Sequence, residues 1–186
     1  MGDEKKWTWA RVARRIRVPL GFVFAALYIW LAKPAWWSVG AGAAVALVGV
    51  WIRAMASGHV KKNEELTTTG PYGFTRNPLY LGSIVIAVGF AVAARNLWIG
   101  LGLVALFLFI YLPVIRSEEE FLRGKFADFD TYVSRVPRLI PRLTSASDEA
   151  GAFSRELYLR HREYNALLGT LLLVCVLIAK LLWYPR

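Results

Sequence analysis

The sequence predicts an all-α, polytopic membrane protein with about five transmembrane helices and a cytoplasmic N-terminus. Three observations carry that prediction. The 186 residues are 56% hydrophobic and only 19% charged, and the charges avoid several long segments. Five of those segments approach the roughly 20 apolar residues that a helix needs to cross the hydrocarbon core. The basic residues gather in alternate connections, as they do when lysine and arginine are kept on the cytoplasmic side.

Each element follows from its own residues. Residues 18–32 are apolar and close at Lys33-Pro34. They lack a small-x-small cleavage site, and a second apolar run begins almost at once, so they are read as a retained span and not a signal peptide. Residues 35–52 carry no charge, and Gly40, Gly42, Ala43, Ala44, Ala46 and Gly49 give that helix a surface small enough for close packing. Residues 78–94 and 97–115 are uncharged and meet at Arg95-Asn96. Residues 145–151 read as a linker and 152–164 as a basic interfacial helix. Residues 166–184 form a last span holding only Lys180, close enough to its end to snorkel. We read residues 1–186 as a single membrane domain, with a core at 66–142 and the linker, interfacial helix and final span in 143–186.

Five crossings place residues 1–17, 53–77 and 116–165 on one side. Those stretches hold 19 of the 23 lysines and arginines. The opposite turns are too short to build a site, so any chemistry is expected on the cytoplasmic face of an integral, multi-pass protein, in the inner membrane if the source is bacterial. The same bias, together with anionic headgroups, accounts for most of the net charge of +10, and nucleic acid is not an expected partner. Cys175 is the single cysteine, which rules out an intrachain disulfide. His59 and His161 stand apart from each other and from Cys175. They are read as interfacial side chains, and no metal is expected.

Two polar motifs border the third and fourth spans. In the first, Thr67 to Gly82, Gly70-Pro71 is a turn signal. Asn77-Pro78 reads as N-cap and first helical residue. The positive end of that helix, beside Arg76, suits a carboxylate or phosphate. Tyr80 and Leu81 lie in the first turn, facing a neighbouring helix or a ligand, and Gly82 permits close approach to the backbone. The bland alternative makes Tyr72 and Tyr80 interfacial aromatics and Arg76 a headgroup contact. In the second motif, Arg116 precedes Glu118-Glu119-Glu120. A continuing helix puts Arg116 on the face of Glu119 and Glu120, at i+3 and i+4, and Glu119 within reach of Arg123. Both motifs lie at the same end of one transmembrane hairpin, which brings them together.

Gly70-Pro71-Tyr72 followed by Arg76-Asn77-Pro78-x-Tyr80-x-Gly82 resembles the GPYxxxRHPxYxG signature of integral-membrane methyltransferases, the superfamily of isoprenylcysteine carboxyl methyltransferases and phospholipid N-methyltransferases. Glu118-Glu119-x-x-Leu122-x-x-x-Phe126-Ala127, then Phe129, Tyr132 and Val136-Pro137-Arg138, is similar to its second signature. Asn77 replaces the usual histidine, Ala127 a glycine, and Phe129 stands where tyrosine is common. The resemblance covers about residues 66–142.

That resemblance implies an S-adenosyl-L-methionine-dependent methyltransferase (product S-adenosyl-L-homocysteine) acting on a lipid or lipidated acceptor within the bilayer. It implies cofactor contacts by Tyr72, Arg76, Asn77, Pro78, Tyr80, Leu81, Gly82 and Glu118, with Arg116 and Glu119 as catalytic residues. Arg116 would hold a carboxylate acceptor, or Glu119 would serve as base for an amine. O-methylation of an isoprenylcysteine-like carboxylate is favoured, with phospholipid amine N-methylation next. No strand–GxGxxG–helix unit is present to hold the cofactor in the usual way. The alternatives are a membrane reductase-like protein using a nicotinamide cofactor, or a non-catalytic lipid-binding protein with a degenerate site.

Overall fold

The computed structural model describes residues 9–61, 64–147 and 151–183, and no strand occurs among them. Helices α1 (Trp9–Leu31), α2 (Trp36–Ser57), α3 (Pro78–Ala94) and α4 (Leu97–Lys125) follow in turn. Two short helices, α5 (Phe129–Arg135) and α6 (Arg155–Arg160), precede the last, α7 (Tyr164–Trp183). By length and composition α2, α4 and α7 can cross a membrane. Two apolar helices are shorter, Pro19–Leu31 within α1 and Pro78–Ala94, so three of the five predicted spans reach that length among the described residues.

The helix limits are local in origin. Pro78 opens α3 because its missing N–H would be unpaired there in any case. Arg95, in the left-handed region at φ 49, closes α3, and the Asn96 side chain caps α4 by accepting from the Trp98 N–H at 2.9 Å. Within α4 the Pro113 ring supplies no N–H to the Phe109 carbonyl. The helix widens to a π turn over Phe107–Tyr111, and the indole of Trp9 on α1 donates to the Phe109 oxygen at 2.8 Å.

Antiparallel packing of α2 on α3 rests on glycines spaced seven residues apart. Gly42 meets Gly89 and Gly49 meets Gly82, with Ala46 between them. A Cβ on Gly49 would stand 2.6 Å from the Gly82 carbonyl oxygen. The small-residue surface predicted for this helix is therefore its contact with α3. Around that pair a core gathers Tyr28, Val39, Phe90, Ile99 and Leu177 from five helices, and the Tyr28 hydroxyl donates to the Phe90 carbonyl at 2.9 Å.

Lys180 does more than snorkel. Its ammonium donates to the carbonyls of Ile29, Trp30 and Ala32 at 2.5, 3.1 and 2.8 Å, and so caps the end of α1. The interfacial helix predicted over 152–164 is shorter than expected, six residues, before the chain turns at Arg162. His59 is buried within the protein: its Nδ1 lies 2.7 Å from the Met55 carbonyl and its ring meets Phe153 edge-on.

Candidate functional site

The loop from α2 to α3 is fastened to the segment that follows α5. Gly70, at φ 56, turns the chain into a single 3-10 turn over Gly70–Gly73. Beyond it the Arg76 N–H donates to the Pro137 carbonyl at 2.9 Å, and the N–H groups of Arg142 and Ala146 donate to the carbonyls of Phe74 and Gly73 at 3.0 and 2.9 Å. The hydroxyl of Thr75 donates to the Arg138 carbonyl at 3.0 Å and that of Tyr132 to the Tyr72 carbonyl at 2.7 Å. Beneath this crossing Phe129, Tyr132 and Val136 form a small apolar core, against which Leu122 and Phe126 pack.

Glu119 sits at the centre. Its Oε1 accepts from Arg76 Nε at 3.2 Å and from Asn77 Nδ2 at 2.9 Å. Its Oε2 accepts from Arg138 Nε at 2.9 Å and Nη2 at 2.7 Å. Arg76 spends its remaining reach on the carbonyls of Val133 and Val136. Residues 116–125 of α4 project beyond the apolar run that ends at Ile115, so this cluster stands on the polar continuation of that helix. Burial pushes the Glu119 carboxyl up, but hydrogen bonds from Arg138 and Arg76, the charge of Arg76 and the Asn77 amide outweigh it and hold the group below the usual carboxylate range. The anion expected at the start of α3 is thus supplied by the chain itself.

Beside this cluster opens a cavity of about 1170 Å³. Gly21, Phe22 and Ala25 of α1 form an uncharged part of its wall. Elsewhere it carries three cations, Arg53, Lys61 and Arg76, against four carboxylates, Glu65, Glu118, Glu119 and Glu163. That surplus of carboxylate stands out in a chain of net charge +10. Lys61 pairs with Glu65 at 3.2 Å and Arg53 with Glu163 at 2.8 Å. Tyr80 meets Tyr111 edge-on across the wall, with ring centres 6.2 Å apart. The Tyr72 phenol is pushed well above its ordinary value, first by burial and then by the charge of nearby groups, so it stays a neutral hydroxyl.

Of the residues expected at a site, Tyr72, Arg76, Asn77, Tyr80, Glu118 and Glu119 line this one cavity. The others need correction. Arg116 is exposed and off the cavity wall, on the outer side of α4, and the partners of Glu119 are Arg76 and Arg138. Arg123 pairs instead with Asp130 at 2.8 Å. Asn77 makes no side-chain cap, because its amide is spent on Glu119 and on the Arg138 carbonyl. Gly82 faces α2, where the Gly49 carbonyl and the Arg53 side chain fill the space left for a ligand. Pro78 is buried as the helix start, and Leu81 does not line the wall.

Three residues of this arrangement escaped the sequence reading. Arg138 was visible only as the last letter of Val136-Pro137-Arg138. Arg53 is the first charge after the uncharged stretch 35–52, and Glu163 is an acid directly before an apolar one. A charge at the edge of a span is itself a signal, since it needs a partner or a cavity there.

The nickel-cobalt-cadmium resistance protein NccN of Alcaligenes xylosoxydans xylosoxydans is 37% identical over 123 residues, which cover 62% of this chain and 57% of NccN. The cobalt-zinc-cadmium resistance protein CzcN of Cupriavidus metallidurans is 36% identical over 104 residues, covering 55% of this chain and 47% of CzcN. The chain spans about half the length of these curated relatives. No solved structure matches. The family model for phospholipid methyltransferases matches residues 16–128, from the first turns of α1 past Glu119 to the start of α5, and so the chain belongs to the phospholipid methyltransferase family.

Proposed function

We propose that the chain is an S-adenosylmethionine-dependent methyltransferase whose acceptor is a membrane lipid with an amine in its head. The observation that carries this reading is the cavity. Its volume of about 1170 Å³ exceeds the roughly 300–1,000 Å³ typical of a site for one drug-sized ligand. Its wall combines apolar residues with charged ones, which suits a lipid entering from the bilayer and a soluble nucleotide entering from the cytoplasm. Five crossings with a cytoplasmic N-terminus would put the loop 53–77 and the glutamates after Ile115 inside the cell, in keeping with the distribution of lysine and arginine.

The residues fit the donor. Glu118 lies on the wall and has no ion-pair partner among the described residues, so it suits the donor's ammonium. Tyr72 and Tyr80 offer aromatic faces to a cationic centre. When bound, S-adenosylmethionine supplies an electrophilic methyl group. The task of the protein is then alignment, holding the acceptor atom about 3–3.5 Å from that carbon. Glu119 organises the wall rather than acting as base, because its acceptor positions are filled and its lowered pKa makes it a weak one; the amine would pass its proton to water before its lone pair takes the methyl group.

A carboxylate acceptor needs a free cation. Arg116 is off the wall, and Arg53, Lys61 and Arg76 are already paired with carboxylates. That removes the ground for favouring an isoprenylcysteine-like acceptor and turns the preference to an amine. The metal resistance in the names of the relatives we take, for this chain, as a consequence of altered headgroups. The test is to incubate membranes containing the protein with radiolabelled methyl donor. Label in a lipid headgroup that survives base is expected. Base-labile label would restore the carboxylate reading. Binding of NADPH by the purified protein in place of S-adenosylhomocysteine would remove methyl transfer altogether.

A further inference from the structure

The family match ends at residue 128, yet the chain beyond it supplies a wall residue of the cavity, Glu163. Arg162, just before it, stands at φ 54, a backbone region that costs a non-glycine residue energy and persists where the surroundings hold it. The turn it makes between α6 and α7 brings Glu163 onto Arg53 of α2. Arg53 grips the carboxylate with two parallel bonds, Nε to Oε2 at 3.0 Å and Nη2 to Oε1 at 2.8 Å. Its Nη1 donates to the Ser83 hydroxyl at 2.6 Å and to the Leu79 carbonyl at 3.2 Å. Arg53 is thereby held from two sides.

The two carboxylates bound to arginine differ in what they have left. Glu119 receives four donor contacts on two oxygens, roughly the capacity of an ionised carboxylate, whereas Glu163 receives two, one on each oxygen. Both Glu163 oxygens therefore keep acceptor capacity, and the residue lines the cavity. The pair also lies at a different depth. Asn77, at the Glu119 cluster, and Ser83, at the Arg53 pair, are separated by about 9 Å along α3 at 1.5 Å per residue. The Arg53 pair is the deeper into the apolar helices, on the cavity that Gly21, Phe22 and Ala25 of α1 also line.

We propose that Glu163, oriented by Arg53, is the specificity residue on the acceptor side: its open carboxylate positions take the N–H hydrogen bonds of an amine-bearing lipid headgroup where the cavity wall reaches deeper between the apolar helices. The proposal rests on the methyltransferase reading above. It assigns the choice of acceptor to the C-terminal segment, outside the part matched by the family, and makes Arg53 the positioning residue that fixes the carboxylate. A simple latch between α7 and α2 would account for the ion pair. It gives no role to the acceptor capacity that Glu163 keeps on a cavity wall.

The test uses the full chain in nanodiscs of phosphatidylethanolamine and phosphatidylglycerol with radiolabelled methyl donor, at varied phosphatidylethanolamine fraction. Glu163→Gln is expected to raise the apparent KM for phosphatidylethanolamine at least tenfold, with kcat and S-adenosylhomocysteine affinity within twofold of wild type. If Glu163→Gln does not accumulate, Glu163→Asp carries the same test, since it keeps the charge and withdraws the carboxylate by one methylene. The reversed pair, Arg53→Glu with Glu163→Arg, separates the roles: a latch predicts that KM recovers, whereas acceptor recognition predicts that the KM defect stays. An unchanged KM in Glu163→Gln, or recovery in the reversed pair, overturns the assignment while wild-type labelling leaves the methyltransferase reading intact. A wild type that labels no lipid overturns the amine-lipid reading first and this assignment with it.

Discussion

At Glu119 the chemistry turns on the number of donors rather than on charge alone. Four contacts from Arg76, Asn77 and Arg138 leave its carboxylate ionised and fully engaged. A group whose folded pKa lies below its unfolded value adds stability that is complete above the unfolded value, near 4.5, and lost as the pH falls through the folded one. Melting followed from neutral pH down to about pH 3 should therefore show an acid-induced loss of stability that Glu119→Gln removes. The same substitution leaves two arginines without their counter-charge and should cost about 3–5 kcal/mol, read as a lower melting temperature in detergent, together with loss of S-adenosylhomocysteine binding. Unchanged stability in that variant would mean that the cluster is not formed. The sequence brought Asn77 and Glu119 together because both flank one hairpin. It mispaired Arg116 because residues three apart on a helix are only approximate neighbours: Glu119 turns inward, while Arg116 stays on the exposed side.

The helices answer for one another's unpaired backbone. Pro113 strips the Phe109 carbonyl of its partner, and Trp9 replaces it from another helix. The end of α1 has free carbonyls that Lys180, some 150 residues away, and Asn96 satisfy. Such groups have no water to fall back on inside a bilayer. Lys180→Met should accordingly destabilise the protein by about 1.5–3 kcal/mol, the scale of hydrogen bonds to a charged donor, and the shift in melting temperature measures it. A melting temperature equal to wild type would show that the cap carries no net energy. Close packing of α2 was legible beforehand, since glycines and alanines along an uncharged helix predict it, but not that α3 is the partner. Nor was the register, because the sequence does not say which small residue meets which.

Taken whole, the molecule orders its charges in layers: an ion-pair cluster beyond the apolar runs, a second pair about 9 Å deeper, and apolar helices below. Five crossings predict opposite exposure of the two ends. With Cys175, the one native cysteine, replaced by serine, Lys61→Cys should react with a membrane-impermeant thiol reagent only after permeabilisation, and Trp98→Cys should react from outside. The reverse pattern would reject the cytoplasmic N-terminus. By itself the sequence determined the helical class, the extent of the apolar segments and the meeting of the two motifs. Apolar run length, proline and charge placement act locally or through the bilayer, and a chain displays them before it folds. Only the tertiary structure decided that Glu119 pairs with Arg76 and Arg138, that Gly82 belongs to helix packing, and that Glu163 reaches the cavity from the far end of the chain. Those outcomes depend on which helix face turns inward and how deep each element sits, and side chains distant in sequence settle both together.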